Sequence, residues 1–127
     1  MQANISLTGI ILFVRDVERL KDFYIGNFQF ELIEHDLQMW ALLKAGSITI
    51  GLHRMGEEYL AETDESFKAN NNVKLVFEIS EDIHQLRTQL VGQQVAMRGI
   101  KTFPGYNYWL CDGEDPEGNV FQLKQKK

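Results

Sequence analysis

The sequence predicts an α+β fold built from two βαβββ modules. Three observations predict it. A strand, a helix and three further strands occur in that order twice within 127 residues. Each helix is opened by an acidic capping residue, Asp16 in the first module and Glu81-Asp82 in the second. A tight turn, Asp115-Pro116-Glu117-Gly118-Asn119, feeds a last apolar strand at 120–123. A half of this size can hardly bury its own sheet face, so the two halves are expected to make one domain, 1–127. Module one then spans about 5–54, a connector 55–72 and module two about 73–124.

Each element has a local reason. Ile5, Leu7 and the run 10–14 read as a strand, because β-branched and aromatic side chains suit a pleat. After Asp16, Val17, Leu20, Phe23, Tyr24 and Phe28 recur at helical spacing, with Glu18, Arg19, Lys21 and Asp22 on the outer face. Gly26-Asn27 is expected to end this helix. Strands follow at 30–34, 38–44 and 47–53. Ala45-Gly46 reads as a two-residue hairpin loop, which would set Trp40 opposite Gly51 and Gln38 opposite His53. Residues 55–72 have no sustained period and read as a connector with one helical turn. The pattern then restarts. Val73 opens a strand to 79, Ile83, Leu86 and Leu90 form a helical stripe stopped by Gly92, and strands follow at 95–97, 106–111 and 120–123.

Composition narrows the function. The net charge of −5 argues against a nucleic-acid backbone as partner, since that contact needs a basic face. No apolar run is long enough to span a bilayer, so no membrane contact is expected. A single cysteine, Cys111, excludes an internal disulfide framework and fits a reducing, cytoplasmic compartment. The sequence has no phosphate-cradling glycine loop and no nucleophile elbow.

The opening stretch 7–24, with Asp16 before Phe23-Tyr24, and the closing Asp115-Pro116-Glu117-Gly118-Asn119-Val120-Phe121-Gln122-Leu123 together resemble the vicinal oxygen chelate superfamily. Its members include glyoxalase I, bleomycin and fosfomycin resistance proteins, methylmalonyl-CoA epimerase and extradiol dioxygenases. The resemblance implies a cup-shaped mixed sheet of two βαβββ modules around a ligand, and a homodimer. In metal-dependent members a divalent ion is held by residues on the first and last strands of each module. The resemblance puts those ligands at Gly9, Gly51, Lys74 and Gln122 of this chain. Glycine has no donor atom, a charged lysine has no lone pair to give, and an amide oxygen is a poor substitute for a carboxylate. No metal and no other cofactor is therefore expected. The metal-free branch, exemplified by bleomycin-type resistance proteins that sequester a ligand by binding alone, becomes the model.

Strand alternation gives the ligand-facing side independently. It places Phe13, Trp40, His53, Lys74, Glu78 and Gln122 there, joined by either Tyr106 and Tyr108 or the alternate set Asn107, Trp109 and Cys111. These apolar walls with a few polar groups suit a small-molecule site. Lys74 would anchor an anion, and Glu78 a cation or an acid–base step. The expected function is metal-independent binding of a small molecule, with sequestration as one form of it. Two alternatives stay open. One is a glyoxalase-like lyase or isomerase using displaced ligands (His53, Glu78) or Lys74 and Glu78 as acid and base, with no catalytic residue assigned. The other is a degenerate regulatory or structural dimer module.

Overall fold

The computed structural model describes residues 4–127. The chain divides into two compact units, residues 1–67 and 68–127, so the connector is shared between them.

In the first unit, β1 (Gly9–Val14) leads through Asp16 into α1 (Val17–Phe28). The Asp16 carboxylate accepts from the Arg19 amide at 3.1 Å, satisfying one of the free N–H groups of the first turn. The helix runs past Gly26-Asn27 and stops at Gln29, which adopts the left-handed conformation (φ 56°) while its N–H bonds to the Ile25 carbonyl. The glycine therefore did not end the helix. Aromatic packing of Phe28 on Phe23, Tyr24 and Phe30 holds the extra turn. Strands β2 (Glu31–Asp36), β3 (Trp40–Ala45) and β4 (Ile48–Arg54) complete a sheet ordered β1-β4-β3-β2, with β1 parallel to β4. The short helix α2 (Glu57–Leu60) is the expected single turn of the connector.

The β3–β4 hairpin corrects the expected register. Its loop is Gly46-Ser47, and Trp40 pairs with His53, Leu42 with Gly51 and Lys44 with Thr49. Gly46 at φ 72° supplies the positive φ that the first loop position of a tight hairpin demands. Because the pairing moved by two residues, each side chain keeps its expected face. Ala41, Leu43, Ile50 and Leu52 are buried together with Val17, Leu20 and Tyr24 of α1, and form the core of this unit.

The second unit repeats the order. It contains β5 (Lys74–Ile79), α3 (Ile83–Gly92), β6 (Ala96–Lys101), β7 (Tyr108–Glu114) and β8 (Val120–Lys126), in a sheet ordered β5-β8-β7-β6 with β5 parallel to β8. Asp82, rather than Glu81, caps α3 and accepts from the His84 and Gln85 amides. Ile83, Leu86 and Leu90 are buried with Leu75, Phe121 and Leu123.

The closing turn is stitched from within. Buried Asp115 accepts from the amides of Glu117 (2.9 Å) and Asn119 (3.0 Å), and from the Asn119 side chain (2.9 Å). Gly118 sits at φ 82°, where a Cβ would crowd Lys68 and Ala69. Ala69 donates to the Glu117 carbonyl, Lys68 to that of Pro116, and Asn71 to Asn119 Oδ1. The second part of the connector is thus fastened to this turn, which explains why the unit boundary follows Phe67.

Candidate functional site

One face of each sheet carries its helix, and the other carries the candidate residues. On the first sheet, Phe13 pairs with His53 and His53 with Trp40 across three adjacent strands. Phe13 and His53 ring centroids are 5.2 Å apart, and those of Trp40 and His53 6.0 Å. Three expected residues therefore meet as one aromatic row. Trp40 Nε1 donates to Glu34 Oε1 at 2.9 Å, which fixes the indole. His53 Nδ1 lies 2.7 Å from the Arg54 carbonyl. A carbonyl only accepts, so Nδ1 is the donor in this contact. Phe13 also borders a cavity of about 610 Å³, whose other walls come from the connector: Met55, Tyr59, Glu62, Thr63 and Phe67.

The second sheet brings Lys74 and Gln122 onto one centre that the sequence reading did not single out. Asp112 on β7 is about 7 % exposed. Lys74 Nζ reaches its Oδ2 at 2.9 Å, Gln122 Nε2 donates to its Oδ1 at 3.0 Å, and an Arg98 guanidinium nitrogen lies 3.8 Å from Oδ2. Burial pushes the Asp112 carboxyl up, but the bonds from Lys74 and Gln122 outweigh it, and its pKa is lowered. Lys74 is thus tied to Asp112 while its side chain stays 43 % exposed. Glu78 is exposed and stands across from Lys124 in the β5–β8 register, away from that cluster.

The pairing of Asp112 with Gln122 settles which side of β7 accompanies Gln122. It is the side bearing Tyr108, Leu110 and Asp112, while Cys111 and Trp109 face α3. Tyr106 lies just before the strand, its ring 5.5 Å from that of Tyr108, and Lys124 Nζ sits 4.2 Å over the Tyr108 ring. Cys111 is fully buried, and burial pushes its thiol pKa up, which suits a packing residue. His35 bonds Glu18 and His84 stands against Trp109, so neither joins these faces. No helix among the described residues is long and apolar enough to cross a membrane.

No protein-family model and no curated protein matches the chain. Solved structures do. A lactoylglutathione lyase from Agrobacterium tumefaciens superposes with a TM-score of 0.74 at 15% identity, covering 98% of this chain and 96% of its own. The fosfomycin resistance protein FosX from Listeria monocytogenes gives 0.72 at 14%, over 100% and 96%. TnmS3, an antibiotic binding protein from Streptomyces sp. CB03234, gives 0.73 at 23%, over 99% and 100%. The fold is that of the vicinal oxygen chelate proteins. At these identities the likeness is one of fold, and the chemistry has to be argued from this chain's own residues.

The four positions to which the resemblance assigns metal ligands, Gly9, Gly51, Lys74 and Gln122, do not fit an ion with the side chains present. A Cβ on Gly51 would run into the end of the Trp40 indole and lie 3.1 Å from Ile11, so no carboxylate stem fits while the indole stays. A Cβ on Gly9 would collide with Thr49 Oγ1. Lys74 and Gln122 are both donors committed to Asp112. Among the described residues no group of three or more His, Cys, Asp or Glu side chains is placed to hold a metal ion.

The contact over Gly51 makes a direct test. Gly51→Ala should displace the indole and cost about 1 kcal/mol, overpacking being partly offset by the gain of replacing a strand glycine. In a Trp40→Ala background the same substitution should be neutral or stabilising. Urea denaturation of the four proteins of this cycle reads the coupling. Equal effects in both backgrounds would remove Trp40 as the reason for the glycine.

Proposed function

We propose that the protein binds a small organic molecule without a metal ion. The observation that carries this reading is the Trp40 indole lying over Gly51, where a ligating side chain would otherwise stand. The Phe13–His53–Trp40 row and the adjoining cavity supply the apolar surface such binding needs. Because Lys74 is held by Asp112, the geometry favours binding over proton transfer by Lys74. The reading includes a homodimer, testable as twice the 14.7 kDa chain mass in light scattering, and a cytoplasmic protein, consistent with its one buried, unpaired cysteine.

Thermal unfolding with a panel of planar aromatic compounds, in EDTA and again with Mn²⁺ or Zn²⁺, tests it. At least one compound should raise Tm in EDTA. At a hundredfold excess over Kd a single site contributes about 2.7 kcal/mol. Shifts that occur only with added metal would overturn the proposal.

A further inference from the structure

We infer that the cavity beside Phe13 takes an amphiphilic organic cation, an aryl or alkyl group carrying an ammonium, with the ammonium at Glu62. The inference rests on the metal-free binding proposed above and specifies its ligand class.

The cavity's volume of about 610 Å³ fits a drug-sized molecule. Its walls are the Phe13, Tyr59 and Phe67 rings and the Met55 thioether, surfaces that attract apolar groups and, through their π faces, cations. Phe13 and Tyr59 are 66 % and 62 % exposed, so a ligand here would cover apolar area that water now wets. The polar lining is sparse and one-sided. Thr63 Oγ1 is already donated to the Leu60 carbonyl at 2.9 Å. Glu62 is the one charged side chain among the lining residues.

Charge around the cavity points the same way. Residues 55–67 hold Glu57, Glu58, Glu62, Asp64 and Glu65 and no lysine or arginine. Of the two guanidiniums nearby, Arg54 is paired with Glu57 at 3.1 Å and Arg15 interacts electrostatically with Asp64, so five carboxylates face two arginines. The field at the cavity therefore attracts a cation and repels a carboxylate or phosphate. A primary or secondary ammonium would also donate a charge-assisted hydrogen bond to Glu62. An uncharged hydrocarbon would gain only the apolar walls.

Three matched probes separate these terms: 4-phenylbutylammonium, 4-phenylbutanol and 4-phenylbutanoate, titrated by NMR or calorimetry at low ionic strength in EDTA. The ammonium should bind at least about tenfold more tightly than the alcohol, with the carboxylate weakest. Glu62→Gln should lower the ammonium's affinity to that of the alcohol. Phe67→Ala should weaken both, with circular dichroism confirming an intact fold. A carboxylate that binds as well as the ammonium, or a preference that survives Glu62→Gln, overturns the ligand class and leaves metal-free binding standing. Binding of a panel aromatic in EDTA with none of the three probes bound overturns the cavity assignment. If nothing binds in EDTA, both readings fail.

Discussion

Asp115→Ala is expected to cost about 3–5 kcal/mol, because three donors that now end on one carboxylate would be left facing a methyl group. Asp115 is 2 % exposed, and Asn119, which supplies two of the donors, is 4 % exposed. Water can reach such groups only by opening the turn. The loss should spread beyond the turn itself, since Ala69, Lys68 and Asn71 are all tied to it. Hydrogen exchange should show lost protection at the Glu117, Asn119 and Ala69 amides, and the urea midpoint should fall by roughly 2 M. Asp115→Asn keeps an oxygen for the two backbone amides and loses only the acceptor for the Asn119 side chain. It should cost about 1–2 kcal/mol. Equal effects from the two substitutions would mean that the turn is held by something other than these bonds.

That turn was also the clearest part of the fold to read from sequence. Its residues carry their own reasons: a fixed φ at Pro116, a positive φ at Gly118 and an acceptor at Asp115. The strand–helix–strand order was legible for a similar reason, since periods of 2 and 3.6 report burial directly. What failed was punctuation. Gly26 permits a helix end but does not compel one, and packing of Phe28 decided the matter. In the β3–β4 hairpin, both Ala45-Gly46 and Gly46-Ser47 contain the glycine, and only the backbone shows which loop position it fills. The error left the faces intact, so Trp40 still lies over Gly51, reached as a diagonal neighbour instead of a direct pair.

The sheet faces were legible where alternation governs, and the connector was silent where it does not. Phe13, Trp40, His53, Lys74 and Gln122 all stand on their expected faces. Asp112 was missed although the signal existed: it is the next member of the series Tyr106, Tyr108, Leu110, one step beyond the expected strand end. Tyr59, Glu62 and Phe67 had no such signal. Aperiodic connectors do not announce which side chains they turn toward a cavity.

Placing a carboxylate on the last strand, Gln122→Glu, should destabilise the protein by about 2–4 kcal/mol at neutral pH. The amide nitrogen that now donates to Asp112 at 3.0 Å would become an oxygen facing an oxygen. Lys74 is in hydrogen-bond contact with Asp112 and Arg98 stands off at 3.8 Å, so the two charges would be offset only in part and one apparent pKa of the pair would rise. The sign of the pH dependence then reverses. In the natural protein the Asp112 carboxyl is held below its ordinary value, so its contribution is present above the unfolded pKa and is lost as pH falls through the folded one. In the variant, a raised carboxyl contributes most below the unfolded pKa of about 4 and loses that contribution as pH rises through its folded pKa. The stability gap between the two proteins should therefore be widest near pH 7 to 8 and narrow toward pH 4. A gap that stays constant across that range would show that Gln122 is there for packing alone. A gap that closes would show that Gln122 is matched to Asp112. An amide can donate to a buried carboxylate, and a carboxylate cannot. On that account Gln122 is the residue that this sheet face needs beside Asp112, completing the Lys74–Asp112–Gln122 cluster.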